Sequence, residues 1–426
     1  MRPNKLPFIL RNIQFILIAI LSIKIAGYFS IVEDRTINQV YKTIVRLGMS
    51  GSILLIYFKL IRYGCSTRVV YKGIFSVVFY LFYLVLGFAS IGWSSNPQYS
   101  ALQLLMTGES FLFMFFYIRV FQLVNFHFDW LKLNPVKLIG LAVLPIIISF
   151  IIGNFLLPDI FWRTMRGGEE SRLGGYLMNP NELGMLAGIG AVMFLMPLVQ
   201  GRKVYWNVLK MVLCAYVLLL TSSRSSVIGF AIVSVLLVLN SSHQKIKLYL
   251  IGVIIIAIPV LIKLIVFKDE GGLDEVMSMT GRLPFWKALL NEGIVKEPFL
   301  GYGFMRINYT DYFQGLNTYP GKMTHNTFMQ VLMNLGFVGL VVALFQLILT
   351  IRNYFVHLAK EHKLFFVALF IPIIVNSITE FGIFGESNYG ILFYQFLIFY
   401  LVVSIPEKRS TKEKILQKIF KKRWNC

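Results

Sequence analysis

The sequence predicts an all-α fold: a polytopic membrane protein of about twelve transmembrane helices with one long extracytoplasmic loop. Three observations carry that prediction. Hydrophobic residues make up 57% of the 426-residue chain and charged ones only 14%, with a mean hydropathy of +0.70. A water-soluble domain has too little interior for so many apolar stretches. The apolar runs recur at spanning length, because a hydrocarbon core about 30 Å thick takes roughly 20 residues of helix. Lys and Arg collect in alternate loops, the pattern of the positive-inside rule.

The expected spans are 13–32, 40–58, 73–93, 99–124, 136–157, 182–200, 204–221, 225–240, 246–267, 325–351, 364–384 and 388–404. No small-residue cleavage site follows the apolar start at Phe15 before Glu33-Asp34-Arg35, so the first span is retained rather than removed as a signal peptide. With the N-terminus cytoplasmic, Arg2, Lys5 and Arg11 lie inside, as do Lys59, Arg62, Arg68, Lys72, Lys132, Lys137, Arg202, Lys203, Lys245, Lys247, Arg352, Lys360 and Lys363. An even number of spans returns the C-terminus to the same side. The whole of 1–426 is then one integral membrane domain, with 268–324 an extracytoplasmic loop within it and 407–426 a basic cytoplasmic tail. The net charge of +21 is explained by this distribution, the tail lying against anionic membrane lipids, and nucleic acid is not an expected partner. Cys65, Cys214 and Cys426 have neither CxxC spacing nor a placement suited to an outer disulfide.

Two outer segments exceed simple turns. The first, 158–181, holds Arg163, Arg166, Glu169, Glu170, Arg172 and an Asn179-Pro180-Asn181 break. The second, 268–324, is long enough to cap a cavity. Within it Leu283, Trp286 and Leu290 stand at helical spacing, which predicts a short interfacial helix anchored by Trp286 at headgroup depth. Tyr309, Tyr312 and Tyr319 offer aromatic surfaces on which sugars can stack.

The candidates for chemistry sit at outer membrane edges. His325, with Thr324 expected as N-cap, would occupy the first turn of the tenth span, where the helix dipole and nearby arginines keep imidazole neutral and able to accept a proton. The bland alternative is an interfacial His bonded to headgroups. Arg224, within Thr221-Ser222-Ser223-Arg224-Ser225-Ser226, stands against the positive-inside bias beside helix-end N–H groups, a combination suited to an anion such as a diphosphate. Its alternative is a snorkelling side chain. Arg282 could close over the same anion, and Arg172 is a third candidate. Arg163 and Arg166 read as solvated. Glu169 and Glu170 are a second choice of general base, against the simpler reading of a solvated pair. Gly336 and Gly339, one turn apart, are expected to mark close helix packing. Within the spans Lys24, Arg46, Glu109, Lys263 and Glu380 must pair, face a cavity or snorkel, and they are the main argument for a transporter.

His325-Asn326 followed after nine residues by Gly336-x-x-Gly339, the Ser-rich turn around Arg224, and the Gly281-Arg282…Trp286…Pro298-Phe299-Leu300-Gly301-Tyr302-Gly303 loop together resemble the O-antigen ligase and O-antigen polymerase superfamily of integral membrane glycosyltransferases. The resemblance covers roughly 172–345 and rests chiefly on the order of these parts. It implies a GT-C-like all-helical fold in a bacterial cytoplasmic membrane, acting at the outer face on an undecaprenyl-diphosphate-linked oligosaccharide. It further implies no cofactor and no metal, and a flippase and a chain-length regulator as partners. Carried over, Arg224, Arg282 and the more loosely matched Arg172 bind the diphosphate, while His325 is the catalytic base or orients the acceptor. Heavy use of Ile, Lys, Phe, Asn and Tyr points to an AT-rich genome, such as those of many Gram-positive bacteria that lack lipid A. That tilts the expectation toward a polysaccharide polymerase over a ligase, with teichoic-acid or protein glycosylation variants left open.

Overall fold

The computed structural model describes residues 8–94, 96–128, 130–165, 170–266, 279, 282–304, 324–380 and 382–404. The helices run α1 (Phe8–Arg11), α2 (Ile13–Ala26), α3 (Arg35–Arg62), α4 (Phe75–Ala89), α5 (Pro97–His127), α6 (Pro135–Leu156), α7 (Pro158–Phe161), α8 (Pro180–Val199), α9 (Val204–Leu220), α10 (Arg224–Leu239), α11 (Gln244–Val266), α12 (Arg282–Ala288), α13 (Thr327–His357), α14 (Lys360–Thr379) and α15 (Tyr389–Val402). Each of the twelve expected spans overlaps one of them. Seven helices among the described residues are long and apolar enough to cross a membrane: those built on α3, α4, α5, α6, α8, α13 and α14. Shorter apolar helices are α2, α9, α10 and α15. The molecule is a polytopic, almost wholly helical protein of membrane type.

Two small antiparallel pairings were not expected in an all-α reading. β1 (Val70–Tyr71) pairs with β4 (Val403–Ser404), tying the loop after α3 to the end of α15. β2 (Trp162–Met165) and β3 (Glu170–Leu173) form a hairpin with Arg163 opposite Arg172. The hairpin satisfies backbone groups that a loop between helices would otherwise leave to solvent.

Helix starts follow local chemistry. Asn96-Pro97, Asn134-Pro135 and Asn179-Pro180 open α5, α6 and α8, the Asn side chain accepting from first-turn N–H groups and Pro occupying the position that has no use for one. The Asn179-Pro180 break is therefore a helix start. Asp34 caps α3 by accepting from Ile37 N at 2.8 Å, so this helix begins before the apolar run and reaches 28 residues, about 42 Å.

α8 lies at the centre, packed by α6, α9, α10 and α14, with 89% of its apolar window buried. Gly184 permits close approach here: a Cβ at that position would stand 2.7 Å from Ser223 Cβ, so the turn carrying Arg224 rests directly on α8. Lys24 and Glu109 form an ion pair between α2 and α5, with Arg46 of α3 at 3.7 Å from the same carboxylate. Those three intramembrane charges pair, as their burial requires. The Lys263 side chain lies outside the described residues.

The glycine pair in α13 works differently from the expected helix packing. Gly336 adopts φ 62° and ψ −163° and breaks the helix. Into the break fits the segment 298–303: Phe337 N donates to Pro298 O at 2.8 Å, while Tyr302 N and Gly303 N donate to Met333 O and Asn334 O at 2.9 Å. A Cβ on Gly336 would fall 2.2 Å from Phe299 C. Backbone groups freed by the kink are thus satisfied by the inserted turn, and only glycine has both the torsion and the space. At Gly339 the nearest atoms belong to Leu335 of the same helix.

The interfacial helix exists as α12, followed by a π-helical turn, Leu289–Gly293, but it buries another face. Phe285 and Leu289 are fully buried against Met333 and Tyr302, whereas Leu283 and Leu290 are exposed. Trp286 does not serve simply as a headgroup anchor, since its Nε1 donates to Thr324 O at 2.6 Å. Phe285/Leu289 and Leu283/Leu290 are both helical repeats, and tertiary contact with α13 decided between them. Tyr309, Tyr312 and Tyr319, the tail 407–426, and Arg166 and Glu169 lie outside the described residues.

Candidate active site

The N-terminal ends of α8, α10 and α13 and the C-terminal end of α14 meet at one end of the bundle. At their junction stands Glu380, the residue that ends α14, with its side chain only 6% exposed. Its Oε1 accepts from Arg282 at 2.9 Å and from Asn181 Nδ2 at 2.6 Å. Its Oε2 is 2.9 Å from His325 Nδ1. Arg282 also donates to Thr379 O.

Arg172 joins the cluster through Asn181. From β3 it donates Nε to Thr221 O at 2.8 Å and a terminal nitrogen to Asn181 Oδ1 at 2.6 Å. It thereby links the hairpin, the first turn of α8 and the serine turn. That turn is fixed in its own right: Ser222 has φ 49°, Ser223 and Ser226 share a hydrogen bond at 2.8 Å, and Ser225 Oγ donates to Asn376 Oδ1 at 3.2 Å, one turn of α14 before Glu380. Arg224, half-buried, is the first residue of α10 between these serines.

His325 sits two residues earlier relative to its helix than the sequence implied. The N-cap is Asn326, whose Oδ1 accepts from Phe328 N at 2.9 Å and Met329 N at 3.0 Å; Thr324 instead bonds to Asn326 and Gln330. His325 precedes the cap with φ 49°, a left-handed torsion that costs a non-glycine residue about 1–3 kcal/mol and persists only where surroundings impose it. Here they do. Asn326 Nδ2 donates to Ile378 O at 3.0 Å, Thr327 Oγ1 donates to Glu380 O at 3.2 Å, and Gly382 N donates back to Thr327 Oγ1 at 3.1 Å. Trp286 holds Thr324 from the other side. The strongest electrostatic neighbour of the imidazole is consequently a carboxylate, not the helix dipole.

Burial alone would raise the Glu380 carboxyl, but His325 and Arg282, with the hydrogen bond from Asn181, outweigh it and hold the group below its ordinary range. An ionised carboxylate only accepts hydrogen bonds, so Nδ1 of His325 is the donating nitrogen of the pair. Three arginines against one carboxylate leave the cluster net cationic. Such a group can hold a diphosphate, and an oriented imidazole beside it can take a proton from an attacking hydroxyl.

The sequence reading named His325, Arg282, Arg224 and Arg172 but left Glu380 among the intramembrane charges and Asn181 unremarked. The available signal was positional: Glu380 closes an apolar run at the same end of the bundle as the arginines. Arg163 stays at the hairpin, and Glu170 is placed in β3 by its backbone. Among the described residues no group of three or more His, Cys, Asp and Glu side chains comes together as a metal would require.

Residues 209–344 match the family model Wzy_C, O-antigen ligase. The match contains Arg224, Arg282 and His325, while Arg172, Asn181 and Glu380 come from outside it. No curated protein matches the chain. Over residues 209–344, within a multi-pass membrane protein, the chain is therefore similar to the O-antigen ligase family Wzy_C, whose members are membrane enzymes of ligase/polymerase type in polysaccharide assembly.

Proposed function

We propose that this protein is a polysaccharide polymerase at the outer face of a bacterial cytoplasmic membrane. It moves a growing glycan from undecaprenyl diphosphate to a sugar hydroxyl on the next lipid-linked repeat. The observation that carries this reading is the convergence on Glu380 of Arg282, Asn181 with Arg172, and His325, beside the turn that bears Arg224. Arg224, Arg282 and Arg172 bind the diphosphate and stabilise the charge that develops on it as the anomeric C–O bond breaks. His325 Nε2 takes the proton of the attacking hydroxyl, and Glu380 holds the ring in the tautomer that permits this. Attack opposite the leaving diphosphate inverts the anomeric centre.

The matched family model favours a second reading, a ligase that transfers the finished chain to another acceptor. Deleting the gene and sizing the accumulated lipid-linked glycans separates them. A polymerase leaves single repeats on the carrier; a ligase leaves extended chains still attached to it. Intermediates trapped on the cytoplasmic side would instead indicate a transporter and overturn both.

A further inference from the structure

A cavity of about 1250 Å³ opens at the same end of the bundle as the Glu380 cluster, between the starts of α3, α5 and α8, the β2–β3 hairpin and the 386–388 turn. We propose that it is the saccharide subsite of the enzyme, holding the glycan of the lipid-linked substrate. The proposal rests on the transferase reading above, and names where the sugar rather than the diphosphate is bound.

Size is the first argument. Pockets of roughly 300–1,000 Å³ enclose a drug-sized molecule, so this one has room for more than one sugar ring. The wall chemistry is the second. Tyr28, Tyr99, Trp162 and Tyr176 line it, and flat aromatic faces suit the C–H faces of pyranose rings while their polar tips meet hydroxyls. The Trp162 indole is already oriented, since Nε1 donates to Asn154 Oδ1 at 2.7 Å.

The wall carries both signs: Lys42, Arg46 and Arg163 stand with Asp159 and Glu182, while burial pushes the Glu386 carboxyl up to about 8. Such a mixed lining offers donors and acceptors in the combination that a polyol needs. Arg46 is the most constrained of them, 4% exposed and donating to Met106 O and Ser387 Oγ at 2.7 Å.

Position is the last argument. The cavity and the charged cluster are built on the same two segments. In the hairpin, Trp162 and Arg163 line the cavity, and Arg172, opposite Arg163, reaches Asn181. In the first turn of α8, Asn179 and Glu182 line the cavity while Asn181 between them binds Glu380. A glycan seated here is held by the frame that positions the diphosphate ligands and His325.

The test uses the full chain in nanodiscs and two probes: the repeat-unit oligosaccharide freed by mild acid from the host's lipid carrier, and undecaprenyl diphosphate bearing no sugar. Trp162→Ala, Tyr176→Ala and Gln103→Ala, the last on the α5 wall of the cavity, should weaken oligosaccharide binding by about tenfold or more and leave carrier binding within about twofold. Tyr176 is 68% exposed, so its variant folds even if removal of the pinned Trp162 disturbs the hairpin. Wild-type oligosaccharide affinity in Tyr176→Ala and Gln103→Ala, or no oligosaccharide binding by the unaltered protein, overturns the proposal. Oligosaccharide binding that depends on these residues, in a protein that ignores the carrier diphosphate, upholds the cavity and removes the transferase reading.

Discussion

His325 Nδ1 lies 2.9 Å from Oε2 of Glu380, joining residues 55 apart in sequence at the ends of two different helices. The pair decides which ring nitrogen can act as a base, and it makes one side chain's contribution depend on the other. His325→Ala is expected to lower transfer by about 10²–10⁴-fold with membrane abundance unchanged. Glu380→Gln should fall between that variant and wild type, because the amide oxygen still accepts from Nδ1 while the charge is gone. The double variant should be no worse than His325→Ala alone. Additive losses in a kinetic double-mutant cycle would show that the two residues act separately.

The arginines should not be replaceable by lysine. Arg282 reaches Glu380 and Thr379 O at once, and Arg172 reaches Thr221 O and Asn181, geometries that a single ammonium on a flexible stem does not reproduce. Arg282→Lys, Arg172→Lys and Arg224→Lys are each expected to slow polymer formation in membranes supplied with lipid-linked repeats. Full activity in Arg282→Lys would mean that only charge is needed there.

Much of the helical frame was legible in the sequence because spanning length and loop charge leave few alternatives. The individual candidate residues stood out in the sequence where they broke a rule: Arg224 against the expected positive-inside bias, His325 at a polar-to-apolar boundary. Glu380 and Asn181 broke none visible in one dimension. Their roles arise from contacts 199 and 98 residues away, to each other and to Arg282, which no local pattern encodes. The same limit explains α12, where two helical repeats competed and contact with Met333 on α13 and with Tyr302 settled which face is buried.

Gly336→Ala is expected to destabilise the protein more than a surface helix substitution would. The residue would have to hold a left-handed φ of 62° at a cost of about 1–3 kcal/mol, and its methyl would meet the Phe299 backbone. Thermal unfolding in nanodiscs should show a lowered midpoint, together with faster proteolysis at 298–303 as that segment leaves the break. An unchanged midpoint would mean that the kink is not needed for folding.

Topology is open to direct measurement. Basic loops alternate along the chain, so reporter fusions at Glu170 and Gly315 should read outside and those at His243 and Ser410 inside. The hairpin that carries Arg172 and the turn before α13 share one end of the bundle, so reporters at Glu170 and Thr324 must read the same side. A cytoplasmic signal at both would turn the site toward the wrong leaflet for a flipped lipid-linked donor.

The low-lying carboxyl of Glu380 sets a pH window with a defined sign. Its folded-state value lies below the usual 4.5, so its ion pairs contribute stability that is fully present above about 4.5 and is lost only as pH falls through the lower folded value. Breaking a buried pair by removing one partner costs about 3–5 kcal/mol. The gap in thermal midpoint between wild type and Glu380→Gln should therefore stay constant from neutral pH down to about 5 and close only under stronger acid. A gap that closes already between pH 7 and 6 would mean that Glu380 takes up its proton near neutrality, and the carboxylate could then not hold Nδ1 of His325 as a donor under working conditions.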